Sequence, residues 1–560
     1  MATSDLNWDR PHWKWASPKK EPEEMVDLKR NKYIKTTLAL SILLFALVDS
    51  IASENKIEPV KLRHDEFNVV MGYRGQLEGG IKHKPINSPP NSEKDNQIVY
   101  GFTSVSDKIT WSVDVPETAD YLVAIQYTGK NFRSDANKGQ SPDRTVELRA
   151  NGKVLSAELN PLTKYNEATK VAGTRLWFDG QIPLKEGKNT LTFHFSKISD
   201  TQVEAAKKEL KNGLLKKSSK SIGIKEIALV RPEVWNAMKQ RAQELKPDLS
   251  WMREGKYGLF IHWSSGTYPL FGSKPARHNY EWGVNTFDVE AFADMVSETG
   301  ASWVTFTTCH GGEIFPAPIK MRENLIPGTT TERDLIADLA EALNKRDIKL
   351  LLYYNMSPRG KFAIKLGADK NPEKWFRYLI DFARAVSLRY GTSIAGWGYI
   401  DSSVSAYELN MPWEKYYRAM KAGNPDAVVA ISSHWCAQYS PFNDLQTGDS
   451  GRSLNAPLDK RLFEKGGRYE GLQEHSSFVL DGAWIPQEPY NGVIRRDSNT
   501  REGPVFSEEE YIEYFKQMDE ADVPLTVNIL ITQDVTREQP FVNPKSLELM
   551  KKIEMELKNN

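Results

Sequence analysis

At 560 residues the chain is longer than one ordinary domain, so two folded units and a short extra segment are expected. Hydrophobic residues at 40% and charged residues at 26% are ordinary for a globular protein. Lys+Arg and Asp+Glu balance at 74 each, which leaves no overall field to gather nucleic acid or an anionic membrane.

The N-terminus carries an export pattern. A basic stretch at 29–35 precedes the apolar run "TTLALSILLFALV", and Ser50-Ile51-Ala52 follows with the small-x-small pattern of a signal-peptidase site. The run is shorter than the roughly 20 residues that a spanning helix needs. Residues 1–52 therefore read as leader and signal peptide, with Met25 as the true start and a secreted or periplasmic product. A signal anchor with a cytoplasmic tail is the competing reading, and no stable membrane span is expected.

From 65 to 231 the apolar pattern has period two. Ile109, Trp111, Val113 and Val115 alternate with polar residues, as do Tyr121, Val123, Ile125 and Tyr127. Asn151-Gly152 and Gly187-Lys188-Asn189 are turn signals between such runs, and many short alternating strands predict an all-β sandwich. The stretch "TQVEAAKKELKNGLLKKSSK" reads as a basic, solvated insertion, helical or unstructured. The segments "WSVDVPETADYLVAIQYTG", "TVELRANGKV", "IPLKEGKNTLTFHF" and "IGIKEIALVRP" resemble the jelly-roll carbohydrate-binding modules of families 6 and 35. That resemblance implies either sugar binding or bracing of the neighbouring unit. Tyr73, Tyr100 and Trp177 are the candidates for stacking on a sugar.

Residues 232–250 read as a connecting helix, and after Trp251 the period changes. Apolar strands "YGLFIHW", "SWVTFTT", "IKLLLYY", "IAGWGYID", "AVVAISS", "YEGLQEHS" and "PLTVNIL" alternate with amphipathic helices. One of these helices is expected to open at Thr331, with Asp334 three residues on. Strands buried on both faces alternating with helices predict a (β/α)8-like TIM barrel over 251–560. A doubly wound sheet would carry a Gly-rich phosphate turn, which is missing.

In such a barrel the site forms at the C-terminal strand ends. These carry His262-Trp263, Cys309-His310 with Glu313, Asn355, Asp401, His434-Trp435 and Glu474-His475. Acidic, aromatic and imidazole groups without a cationic phosphate clamp suit glycoside hydrolysis, which needs two carboxylates around an oxocarbenium-like transition state. Cys309 and Cys436 give no disulfide framework, although both fall near strand ends. The nine histidines show no H-E-x-x-H spacing, so neither a metal nor another cofactor is expected, and carbohydrate is the partner the site suits.

"WMREGKYGLFIHWSSGTYP", "NYEWGVNTFD", "TGASWVTFTTCH" and "TERDLIADLAEALNKRDIKLLLYYN" resemble, in order, motifs of the α-L-fucosidases of glycoside hydrolase family 29. The resemblance implies a retaining exo-glycosidase acting on extracellular glycans. It puts Asp401, in "GWGYIDSS", at the family's nucleophile and His262 and His310 at its sugar-binding histidines. Trp263, Glu281, Trp282, Glu313, Tyr354, His434 and Trp435 complete the candidate sugar contacts. Asp449 in "NDLQTGD" falls near the family's acid/base position, and Glu474 at a later strand end is the other candidate for that role.

The chain departs from the family pattern where Cys309, Gly311, Gly312 and Glu313 replace its Lys, second His, Asp and Gly. A glycosidase of different sugar specificity, or a carbohydrate-binding protein on an inactive barrel, are therefore the competing functions.

Overall fold

The computed structural model describes residues 58–83, 98–128, 145–159, 174–212, 221–263, 270–271, 280–310, 314–356, 360–368, 370–432, 438–447, 454, 456–465, 469–481, 484, 503–534 and 540–559. The leader with Met25, and Glu313, His434, Trp435, Cys436 and Asp449, lie outside the described residues. Among the described residues no helix is long and apolar enough to cross a membrane.

Eleven strands precede residue 231: β1 (Val60–Lys61), β2 (Asn68–Met71), β3 (Gln76–Glu78), β4 (Lys108–Val115), β5 (Ala119–Thr128), β6 (Thr145–Ala150), β7 (Lys153–Glu158), β8 (Thr174–Trp177), β9 (Ile182–Leu184), β10 (Gly187–Lys197) and β11 (Gly223–Val230). One sheet runs β1-β4-β10-β6-β7 with β3 on β4; the other runs β2-β11-β5-β8 with β9 on β5. Inward residues of both sheets, Trp111, Phe193, Ile125 and Leu229 among them, form one apolar cluster. β4 alternates strictly between buried and half-buried positions, as a strand with one wet face must. β11 is buried at every position. Ile227 and Leu229 face the first sheet, while Ala228 and Val230 pack with Phe67, Val69 and barrel residues.

The basic insertion departs from its reading as a solvated excursion. Its first part is a helix, Asp200–Asn212. Gln202 accepts from the Ile222 amide at 2.7 Å, and Glu209 accepts from the Ser221 hydroxyl at 2.6 Å, which docks the helix on the start of β11. A lysine-rich composition had concealed these two buried acceptors.

The helices Pro232–Glu244 and Ser250–Gly255 lead into β12 (Tyr257–Ile261). There follow β13 (Leu270–Phe271), β14 (Trp303–Cys309), β15 (Lys349–Asn355), β16 (Gly396–Asp401), β17 (Val428–Ile431), β18 (Ser476–Val479), β19 (Leu525–Asn528) and β20 (Gln533–Asp534). Seven of them form a parallel TIM-like wall in the order β17-β16-β15-β14-β12-β19-β18. Between its two ends lies the segment 443–446. The Asp444 amide donates to the Val429 carbonyl at 2.9 Å, and Leu445 bridges Gln473 in parallel register.

The longer intervening helices are amphipathic, and several are capped by side chains. Asp288 accepts from the Ala291 amide, and Ser507 and Glu510 form a capping box. The cap expected from Thr331 is instead supplied by Asp334, which accepts from the Ala337 amide. The Thr331 hydroxyl is turned to the Arg333 carbonyl at 2.8 Å.

Candidate active site

Asp401 closes β16, where the chain leaves the sheet. Its Oδ2 accepts from the Tyr353 hydroxyl at 2.6 Å and from the Asn355 amide at 3.0 Å, and its Oδ1 accepts from the Ser402 backbone at 2.6 Å. β15 and β16 pair Tyr353 with Tyr399 and Asn355 with Asp401, so all four side chains share the inner face. Burial, with the Asp401 charge beside it, pushes the Tyr353 phenol well above its ordinary range, so it stays a proton donor. Ser402 adopts φ +54°, and this left-handed turn brings its amide onto the carboxylate.

Beneath the carboxylate lies an aromatic floor. Tyr353 and Tyr399 stack at 5.5 Å, and Phe260 meets both edge-on at 5.7 Å. The His262 ring lies on Phe260 at 4.5 Å, with His310 at 5.9 Å and Trp484 at 5.8 Å. Burial holds the His262 imidazole down at about 3, so the ring is neutral at physiological pH.

Hydrogen bonds also select the tautomer of His262. The buried Asn528 amide donates to the Trp484 carbonyl at 3.1 Å and turns its oxygen to His262 Nδ1 at 2.8 Å. His262 Nδ1 therefore carries the proton, which leaves Nε2 as an acceptor.

The remaining candidates separate by position. Trp263, one residue past His262, points the other way and is fully buried against Tyr280 at 5.3 Å and Phe287 at 5.0 Å. Tyr354 likewise faces the helix layer, 5.0 Å from Phe382, and its neighbour Tyr353 reaches the acid. Glu281 accepts from the Glu332 amide at 3.1 Å, and Trp282 is half-buried against the core.

Glu474 departs most from its expected place. The stretch 469–475 is not a strand, and β18 begins only at Ser476, which pairs with Leu525, itself opposite Tyr257 at the start of β12. Glu474 thus precedes its strand and lies at the N-terminal end of the sheet, opposite to Asp401. Its carboxylate accepts from the Leu458 amide, and burial raises its pKa. Trp177 is not open for stacking either, since its ring packs on Trp235 at 5.3 Å and Phe67 at 6.3 Å. Among the described residues no group of His, Cys, Asp or Glu is arranged to hold a metal ion.

Tyr353, Phe260, Tyr399, Asn528 and Trp484 escaped the sequence reading. Strand parity was the available signal: with Asp401 and Asn355 inward, position 353 must be inward and 354 outward.

Fold and site together describe a TIM-like barrel with a hydrogen-bonded carboxylate at a C-terminal strand end, joined to a second part built of sheets. Comparison with known proteins makes the likeness particular: residues 276–461 match the family model described as alpha-L-fucosidase. The chain is 26% identical over 199 residues to the tissue α-L-fucosidases of Macaca fascicularis and Homo sapiens, covering 30% of this chain and 39% of each relative. It thus spans well under half the length of these curated relatives. Among solved structures, an α-L-fucosidase of glycoside hydrolase family 29 from Bacteroides thetaiotaomicron aligns with TM-score 0.37 at 16% identity, over 56% of this chain and 74% of that one. An endo-fucoidan hydrolase of family 107 aligns with TM-score 0.41 at 12% identity, over 57% and 54%.

Proposed function

We propose that this protein is a retaining glycoside hydrolase of α-L-fucosidase type acting on extracellular glycans, with Asp401 as its nucleophile. The observation that carries the reading is the Asp401 carboxylate itself, at a C-terminal strand end and aimed by three donors above an aromatic floor. The family match over the segment that contains it supports the sugar class.

In this mechanism an Asp401 oxygen attacks the anomeric carbon as the glycosidic C–O bond breaks, and an acid delivers a proton to the departing oxygen. Water, deprotonated by the same acid/base group, then displaces Asp401 and regenerates the carboxylate. His262 Nε2 accepts a sugar hydroxyl, and the half-buried Trp484 is placed to pack on the apolar side of the ring. Asp449 is the acid/base we favour. Glu474, by contrast, is committed to the other end of the sheet, where its carboxylate accepts from the Leu458 amide.

The replaced residues at 309–313 favour one second reading, the same chemistry on a sugar other than plain fucose. Release of aryl alcohol from an aryl α-L-fucoside tests the proposal, and NMR of the first-formed sugar should show retention. Asp401→Asn should lower kcat on the order of 10³-fold or more. Cleavage of another glycoside, lost in Asp401→Asn, moves the assignment to the second reading. If the parent cleaves no glycoside while its glycan binding survives Asp401→Asn, the enzyme reading ends.

A further inference from the structure

We infer that the N-terminal sheets are a working part of the active site: Arg175 and the edge of β2 clamp the loops after β16 and β17, and so hold the nucleophile in aim. The inference rests on the assignment of Asp401 above. Directly after Asp401 the chain enters the short helix Ser403–Glu408 and turns at Leu409-Asn410. Both ends of this passage are tied to the sheets. Arg175, on β8, reaches across with its guanidinium. Nη2 donates to the Tyr407 hydroxyl at 2.6 Å and to Glu226 Oε1 at 3.2 Å. The Tyr407 hydroxyl donates in turn to Glu226 on β11. Arg175 Nη1 donates to the Gln438 carbonyl at 2.7 Å, in the loop after β17. One side chain thus links the passage that follows the nucleophile to the next strand's loop, and Tyr407 stacks on Tyr439 of that loop at 4.3 Å.

Two residues past the helix, Asn410 sits at φ +62°, a conformation that asparagine tolerates. Its side chain accepts from the Val69 amide at 2.6 Å and donates to the Val69 carbonyl at 3.0 Å, pairing with the open edge of β2 as a strand would. Arg63 donates to the Asn410 carbonyl as well.

The clamp cannot slide. Arg175 lies over Phe67 at 4.8 Å, and Phe67 packs on Trp235 at 5.3 Å. Its guanidinium fork spends separate N–H groups on separate loops, which a lysine cannot imitate. A nucleophile must be held to a fraction of an ångström, so loosening this passage acts on the transition state more than on sugar binding. Arg175 and Asn410 are positioning residues.

The test compares Arg175→Met and Asn410→Gly with a control, Leu148→Ala, which weakens the first sheet's core away from the barrel. Asn410→Gly keeps the backbone conformation while removing both bonds, so it stands if Arg175→Met fails to fold. With aryl α-L-fucoside, at a temperature where all remain folded, kcat should fall about tenfold or more in both variants. KM should move less than threefold, and Leu148→Ala should keep its kcat. Amide hydrogen exchange should show lost protection at 402–411 with β14 and β15 unchanged. A kcat within twofold of the parent in both variants, or an equal fall in Leu148→Ala, overturns the inference. If the parent cleaves no fucoside, the functional assignment fails by itself. Exchange at 402–411 then decides the clamp: lost protection supports it and unchanged protection overturns it.

Discussion

Asp401 is the residue on which the reading turns, and its neighbours fix what it does. The Tyr353 hydroxyl and Asn355 amide both donate to Oδ2, so removing either frees the carboxylate to rotate. Tyr353→Phe should leave the fold intact and lower kcat about tenfold, since a hydrogen bond to a charged group contributes roughly 1.5–3 kcal/mol. Steady-state kinetics on the aryl fucoside check this, and an unchanged kcat would remove Tyr353 from the mechanism. The sequence carried Asp401, Asn355 and His262 because each stands at a strand end. Tyr354 was carried by the motif match and Trp263 by its place beside His262, and alternation sends both outward, to Phe382 and Phe287. Trp484 had no such handle, because it comes from beyond a strand and not from within one.

A second residue carries a cost that no role in catalysis explains. Glu408 is buried, its Oε2 has no hydrogen-bond partner among the described residues, and burial drives its pKa well above the usual carboxylate range. A raised acid destabilises the native state at neutral pH, and this cost vanishes below the unfolded value of about 4.3. Glu408→Gln should therefore raise Tm at pH 7 and change it little at pH 4. Melts at the two pH values decide it, and a lower Tm at pH 7 would count against the burial argument.

At the scale of elements, most of the wall was legible because buried parallel strands are continuous apolar runs. β14, β15, β16 and β19 fall within one or two residues of where their apolar runs predict them. The stretch 469–476 failed for a physical reason. It is bounded like a strand, yet Gln473 spends its backbone on the segment 444–446 and regular pairing starts only at Ser476. The partner segment was invisible because "NDLQ" has no apolar run. Its hold comes from side chains that substitute for a ladder. Asp444 Oδ2 accepts from the Val429 amide at 2.8 Å and Oδ1 from Tyr417 at 2.6 Å, with Lys421 at 3.6 Å. Removing one member of a buried, bonded pair costs about 3–5 kcal/mol. Asp444→Ala should lose stability on that order in urea melts, and a loss under 1 kcal/mol would mean that the segment closes the wall by some other contact.

For the whole molecule, two buried imidazoles and three buried acids act in opposite senses on the response to acid. Burial depresses His262 to about 3 and His475 to about 4, against an unfolded value near 6.5. Each is neutral in the native state while the unfolded chain takes up a proton as pH falls below about 6.5. Their contribution is therefore complete above that value and is lost as pH falls towards 4. The slope is about 1.4 kcal/mol per pH unit for each group, or about 2 kcal/mol each by pH 5. Acids raised by burial, Glu408, Asp444 and Asp481, act the other way: between their raised native values and the unfolded value of about 4 the native state gains stability as pH falls, which offsets part of the histidines' loss. His475 offers the cleaner test, because it lies away from Asp401. The Thr526 hydroxyl, which accepts from Trp303 at 3.1 Å, faces its Nε2 at 2.7 Å, a bond that a glutamine oxygen can keep. His475→Gln should lower the difference in stability between pH 7 and pH 5 by about 2 kcal/mol relative to the parent, measured by urea unfolding at each pH. A variant whose difference between the two pH values equals the parent's would show that the His475 ring meets water in the native state, against its burial.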